Sequence, residues 1–178
     1  MPSRRIVRHT DSVTTTDRTL LLLRHAKSGW SGSLADFDRP LAERGQAQAP
    51  LAGRWLASHA GAIDLALVSP ARRARETWEL VSAELAPPPP VLFDERVYAA
   101  PAGRLLDIAR EAPDDVRTLI LVGHNPGMEQ LASLLAGEDV IMPTSGLAVL
   151  GVDGPWSELD AASAVLRAAG RADGGELS

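Results

Sequence analysis

Cysteine is absent from this chain, which excludes disulfides, thiol nucleophiles and cysteine-held metals together. Aromatic residues are scarce, at 4% with a single tyrosine, so the core has to be built from alanine, leucine and valine. No apolar run approaches the length that crosses a bilayer. Excess positive charge is also missing: Lys+Arg 18 against Asp+Glu 23 leaves a net charge of -5. Such a molecule lacks the field on which general nucleic-acid or anionic-membrane binding rests. Any anion site must therefore be a local positive pocket. Residues 1–18 carry arginines but no apolar stretch fit for a secretion signal, so the cytoplasm is the expected compartment.

What is present reads as a globular protein. Hydrophobic residues at 45% and charged residues at 23% of 178 positions suit one domain with a sizeable core. Residues 1–18 are polar, rich in Ser and Thr, and read as a flexible extension; 19–170 read as the single domain. Thr19 opens a run of four leucines, Leu20–Leu23, the pattern of a strand buried on both faces. Ile63–Ser69 and Thr118–Val122 repeat that pattern, Val91–Phe93 is a short strand, and Leu147–Val152 is a further one. Ser163–Arg167 fits either an edge strand or a short helix, and the tail from Gly170 reads as frayed.

Between the strands lie helical stretches at Leu41–Ala60, Ala71–Ala86, Pro101–Ala112 and Gly127–Ala136. Pro50 and Gly53 predict a kink or a late start in the first. Alternating strands and helices predict an α/β fold: a three-layer sandwich whose mostly parallel central sheet has helices on both faces.

Three of these strands end in chemistry-bearing residues. The first delivers Arg24-His25, the second Ser69 followed by Arg72, Arg73 and Arg75, and the third Gly123-His124. Ligands of open α/β sheets bind at the carboxyl ends of the strands, which lie together on one edge of a parallel sheet. Two histidines and at least two arginines gathered there need an anion as partner. A phosphoryl group suits them, because guanidinium forks its oxygens and imidazole can attack phosphorus. Arg8-His9 is a decoy, set in a polar segment without a strand before it. Ala26–Pro40, long and rich in glycine, serine and aspartate, reads as a functional loop over the site.

Arg24–Ser28, Asp38–Leu41, Arg44-Gly45, the Ser69-Pro70-x-x-Arg73-Ala74-x-x-Thr77 spacing and Gly123–Pro126 together resemble the signatures of the histidine phosphatase superfamily. The similarity is to its SixA-like phosphohistidine phosphatase branch and spans Thr19 to Arg167. The resemblance implies a phosphoglycerate mutase-like fold and a metal-independent phosphatase without cofactor, acting on phosphohistidine or a small phosphomonoester.

Position by position, the resemblance makes His25 the nucleophile that is transiently phosphorylated. Arg24 and Arg73 become phosphate clamps, and His124 the second histidine that binds phosphate. In the mutase branch a glutamate in a Glu-Arg-x-Tyr context is the general acid, which points to Glu95 in Glu95–Tyr98; the alternative for Glu95 is a plain surface carboxylate. Asp36 and Asp38 are fallback acids, with Asp38 also read as capping the following turn. Lys27 and Ser28 are candidates for phosphate contact, and Asn125 for pinning the turn after its strand. Other readings are a mutase-like phosphotransferase, a non-catalytic phosphate or phosphoprotein-binding module, and a dinuclear metal hydrolase. A mutase is expected to carry larger insertions, and neither histidine sits in a metal-ligand spacing. The expected partner is a phosphorylated substrate, with no nucleic acid and no membrane.

Overall fold

A computed structural model describes residues 18–30, 32–173 and 176–177. The extension expected at 1–18 and the Arg8-His9 pair lie outside the described residues, apart from Arg18, which already belongs to the first strand. Seven strands form one sheet: β1 (Arg18–Arg24), β2 (Leu65–Val68), β3 (Val91–Phe93), β4 (Thr118–Gly123), β5 (Gly146–Val152), β6 (Ala164–Asp173) and β7 (Glu176–Leu177). Four helices cover it: α1 (Glu43–His59), α2 (Arg72–Ser82), α3 (Ala102–Arg110) and α4 (Gly127–Ala136).

The strand order is β3-β2-β4-β1-β5-β6-β7. β3, β2, β4 and β1 run parallel, whereas β5, β6 and β7 each lie antiparallel to the strand before them in the sheet. The fold is the expected α/β sandwich, but the sheet is mixed and not mostly parallel. Parallel neighbours need a crossover, while antiparallel ones can be joined by short connections. Accordingly β5 passes to β6 through a loop holding only the short 3-10 helix Trp156–Glu158. The undecided stretch at Ser163–Arg167 lies largely in strand β6. The tail expected to fray from Gly170 instead continues β6 to Asp173. Gly170 pairs with Leu147, and Ala172 is buried in the core on the α1 face.

The leucine run explains the layers. Successive strand residues face opposite sides, so Leu20 and Leu22 enter a core with α3 and α4. Leu21 and Leu23 enter another with α1 and α2. All four are fully buried, each contributing at most about 1.5–3 kcal/mol. Helix α1 runs without interruption through Pro50, so the expected kink or late start amounts to a start at Glu43. Gly53 has a packing reason: a Cβ there would meet the Val81 carbonyl oxygen at 2.6 Å, so only glycine lets α1 lie this close to α2.

Register then builds the edge. Arg24 pairs with Gly123 and Val68 with Val122, and the His25 amide donates to the Gly123 carbonyl at 3.0 Å. The residues that follow β1, β2 and β4 are thereby set side by side.

A histidine and arginine cluster at the carboxyl edge of the sheet

His25 leaves β1 into a buried turn. Its Nδ1 lies 2.8 Å from the Ala26 carbonyl oxygen. A carbonyl can only accept, so Nδ1 carries the hydrogen and Nε2 keeps its lone pair. The turn is held from two sides. The Ala26 amide donates to Thr77 Oγ1 at 3.0 Å, and the Lys27 amide donates to Gln48 Oε1 at 3.1 Å. Gly45 allows α1 to approach here, since a Cβ on it would collide with the Lys27 carbonyl oxygen.

Burial first, then the guanidiniums of Arg73, Arg24 and Arg39, push the His25 pKa down to about 4 against the opposing Ala26 hydrogen bond. The imidazole is therefore neutral near pH 7, as a nucleophile must be.

Of the three competing arginines, Arg73 is the one buried against His25, with Nε donating to His25 Nε2 at 3.3 Å. Arg72 is turned away to Glu76, and Arg75 is exposed. Thr77 Oγ1 also donates to the Arg73 carbonyl at 2.6 Å. One hydroxyl thus fixes both the turn after His25 and the helix carrying Arg73, a physical reason for the Arg73-x-x-x-Thr77 spacing. Arg24 donates from one terminal nitrogen to the Met142 carbonyl at 2.9 Å. Its Nε is buried without a hydrogen-bond partner among the described residues.

His124 follows β4 and packs its ring 5.1 Å from that of His25 at a tilt of 55°. Its Nε2 lies 2.7 Å from Ser69 Oγ. Burial first, then His25 and Arg73, push its pKa down to about 3 against the pull of Asp36. The structure therefore brings together Arg24, His25, Arg73 and His124.

Glu95 is not brought to this cluster. It is exposed in the short 3-10 helix Glu95–Val97, and it lines a surface cleft with Phe93, Asp94, Arg96 and Glu111. The same turn presents Tyr98 instead, edge-on to His124 at 5.6 Å. A 3-10 turn has no periodicity from which the sequence could show which residue faces in. The available signal was that Tyr98 is the only tyrosine in the chain.

The loop after β1 also reaches the cluster. The short 3-10 helix Asp36–Asp38 places the Asp36 backbone oxygen 2.6 Å from one Arg73 nitrogen and its carboxylate 3.0 Å from the other. Tyr98 donates to the same carboxylate at 2.8 Å, and Arg39 at 3.1 Å. The Tyr98 hydrogen bond first, then those from Arg39 and Arg73, hold the Asp36 pKa down at about 2. An ionised Asp36 in this position has no proton to give.

Asp38 is exposed, and its carboxylate has no hydrogen-bond partner among the described residues, so the expected cap is not formed. Arg39 donates to Ser28 Oγ at 2.8 Å and stacks on Trp30 at 4.6 Å. Ser28 therefore supports an arginine that the sequence reading left unassigned. Lys27 is exposed. Asn125 pins its turn, accepting from the Glu129 amide and donating to the Met142 carbonyl. Among the described residues no group of three or more His, Asp or Glu is placed to hold a metal, and no helix is long and apolar enough to cross a membrane.

Fold and cluster together define a class: α/β proteins of phosphoglycerate mutase-like architecture with two histidines and two arginines converging beyond the sheet. Residues 20–136 match the family model of the histidine phosphatase superfamily (branch 1), and the chain belongs to that superfamily. An uncharacterized protein of Mycobacterium tuberculosis is 40% identical over 155 residues, covering 81% of this chain and 96% of its own. A SixA protein of Nakamurella multipartitia, described as a candidate phosphohistidine phosphatase, superposes with a TM-score of 0.78 at 28% identity. It covers 87% of this chain and 96% of that one. A SixA protein of Agrobacterium tumefaciens, described in the same terms, gives 0.70 at 34% identity over 76% of this chain and 92% of that one. The chain is thus SixA-like, and this membership supports a phosphatase acting on a phosphorylated substrate.

Proposed function

We propose that the chain is a metal-independent phosphatase that hydrolyses phosphohistidine or a small phosphomonoester through a covalent intermediate on His25. The carrying observation is the Nδ1 hydrogen bond to the Ala26 carbonyl. It commits one ring nitrogen and leaves Nε2 as the only lone pair, next to Arg73 and beside His124. In the first step Nε2 forms a bond to phosphorus as the bond to the leaving group breaks. Arg24, Arg73 and His124 bind the phosphoryl oxygens and offset their charge, which is most of what phosphoryl transfer asks of a protein. Water then attacks the phosphohistidine, releasing inorganic phosphate and restoring neutral His25.

The leaving group needs a proton when it is an alkoxide and less help when it is an imidazole nitrogen. Asp36 is held ionised by Tyr98, Arg39 and Arg73, and Glu95 stands exposed outside the cluster. Neither is placed as a general acid, which favours phosphohistidine and other good leaving groups over alkyl esters. We read the single domain, expected at 19–170 and carried by β6 on to Asp173, as the unit that performs this chemistry, in the cytoplasm.

The experiment is hydrolysis of p-nitrophenyl phosphate and of a phosphohistidine protein, with and without chelator. The expected result is activity that survives chelation and is abolished in His25→Ala. Activity retained by His25→Ala, or lost to chelator, overturns the reading.

A further inference from the structure

His124 has one nitrogen fully accounted for and one not. Nε2 meets Ser69 Oγ at 2.7 Å, while Nδ1 is buried and has no hydrogen-bond partner among the described residues. A third contact decides which nitrogen carries the hydrogen. The Ala71 amide donates to Ser69 Oγ at 3.3 Å, and an amide N–H can only donate, so the serine oxygen accepts there.

Two arrangements remain. If His124 Nε2 also donated to Ser69, the serine's own hydrogen would be left without an acceptor at a residue that is fully buried. Nδ1 would then present a lone pair to any incoming anion. If Ser69 donates to Nε2, the amide, the hydroxyl and Nε2 are all satisfied, and Nδ1 carries the hydrogen. Buried polar groups are paired as a rule; the second arrangement leaves only Nδ1–H unpaired, whereas the first leaves both the serine hydrogen and the Nδ1 lone pair without partners. Because the imidazole is neutral near pH 7, only one nitrogen can hold the hydrogen, and Ser69 chooses which.

We infer that Ser69 is a positioning residue: its hydroxyl locks His124 in the Nδ1–H form and so presents an N–H donor to a phosphoryl oxygen at the His25 site. The inference rests on the phosphatase reading for its purpose, though not for its geometry. It also assigns a task to the serine of the Ser69-Pro70 motif. Val68 pairs with Val122, so the residue after β2 and the histidine after β4 are brought within reach of each other. The ring so oriented packs against His25, the group to be phosphorylated.

The test begins with the wild-type chain, free of substrate, by two-bond nitrogen–proton correlation NMR at neutral pH. The expected result is a protonated Nδ1 and an unprotonated Nε2 on His124. A protonated Nε2, or an even mixture, overturns the assignment whether or not the protein is a phosphatase. Ser69→Ala then reads the consequence. We expect the His124 signals to move toward a mixture and kcat for p-nitrophenyl phosphate to fall about tenfold to a hundredfold, within the loss caused by removing an oriented donor outright. KM should change much less, and Ser69→Thr, which keeps the hydroxyl, should recover both the tautomer and the rate. Unchanged kcat in a folded Ser69→Ala whose tautomer has shifted overturns the inference. Failure of the phosphatase reading itself shows differently, as an inactive wild type with the tautomer intact.

Discussion

Asp36 occupies the arginine that a substrate must use, and replacing it by asparagine should make the site bind anions more tightly. Both terminal nitrogens of Arg73 are engaged by Asp36, one by its backbone oxygen and one by its carboxylate. Arg73 Nε rests on the nucleophilic Nε2. A phosphoryl group arriving at His25 therefore competes with a carboxylate already in place. Asp36→Asn removes the charge and keeps one side-chain oxygen, enough for Tyr98, which donates to one carboxylate oxygen, while Arg39 loses the other.

The magnitude follows from exposure. The Asp36 side chain is 53% accessible, so each of its pairs with Arg73 and Arg39 has the strength of a partly screened ion pair, about 0.2–1 kcal/mol. Removing both is worth about 1 kcal/mol to an incoming anion, or about fivefold in affinity, since 1.4 kcal/mol is tenfold. The assay is the inhibition constant of inorganic phosphate or vanadate against p-nitrophenyl phosphate hydrolysis, with KM measured alongside. Both constants should fall about fivefold with kcat nearly unchanged. Constants that stay put or rise refute the competition. A kcat reduced a hundredfold at constant KM refutes it as well, because that result makes Asp36 a proton donor.

Four further outcomes follow from the same geometry. Arg73→Lys should reduce kcat/KM about a hundredfold, because an ammonium cannot fork two phosphoryl oxygens, whereas Arg72→Lys, on the exposed neighbour, should leave it unchanged. The acid limb of kcat/KM should fall near pH 4, where the free His25 takes up its proton, and not near the ordinary imidazole value. Stability carries the same sign: His25 and His124 have folded pKa values of about 4 and 3, below about 6.5 for the unfolded chain. The unfolded state thus binds more protons, and denaturant midpoints should drop as pH falls from about 6.5 toward 4. Gly45→Ala should destabilise by about 1–3 kcal/mol and slow turnover, because its Cβ would displace the Lys27 carbonyl in the turn that holds His25. A Gly45→Ala chain with wild-type midpoint and rate contradicts that packing.

The parts of this protein legible in the sequence were those where one physical cause acts alone. A run of four leucines has to be buried on both faces, so β1 and its exit into Arg24-His25 could be read directly, as could the strands that deliver Ser69 and His124. Strand direction beyond β1 could not be read, because it depends on how the connections close, and β5, β6 and β7 join by short links without crossover helices. Glu95 and Tyr98 share a turn in which no period separates inward from outward, so the motif drew attention to the turn without showing that Tyr98 is the member that packs on His124. Asp36 was legible as an acid near the site but not as the partner of Arg73. That contact joins residues 37 apart in sequence, and only the packing of the loop on α2 makes it. Arg39 stood in the Asp38–Leu41 motif without a role, and Ser28 was read for phosphate contact and not as a partner of Arg39, because their contact too depends on how the loop packs.

The central claim is that His25 carries the phosphoryl group during turnover. Incubating the protein with substrate labelled on the phosphate, quenching in base and mapping the label by mass spectrometry addresses it directly. The account predicts an acid-labile, base-stable phosphoryl group on His25 Nε2, longer-lived when hydrolysis is slowed and absent from His25→Ala. Label on any other residue, or steady hydrolysis with no labelled protein at any time point, contradicts it.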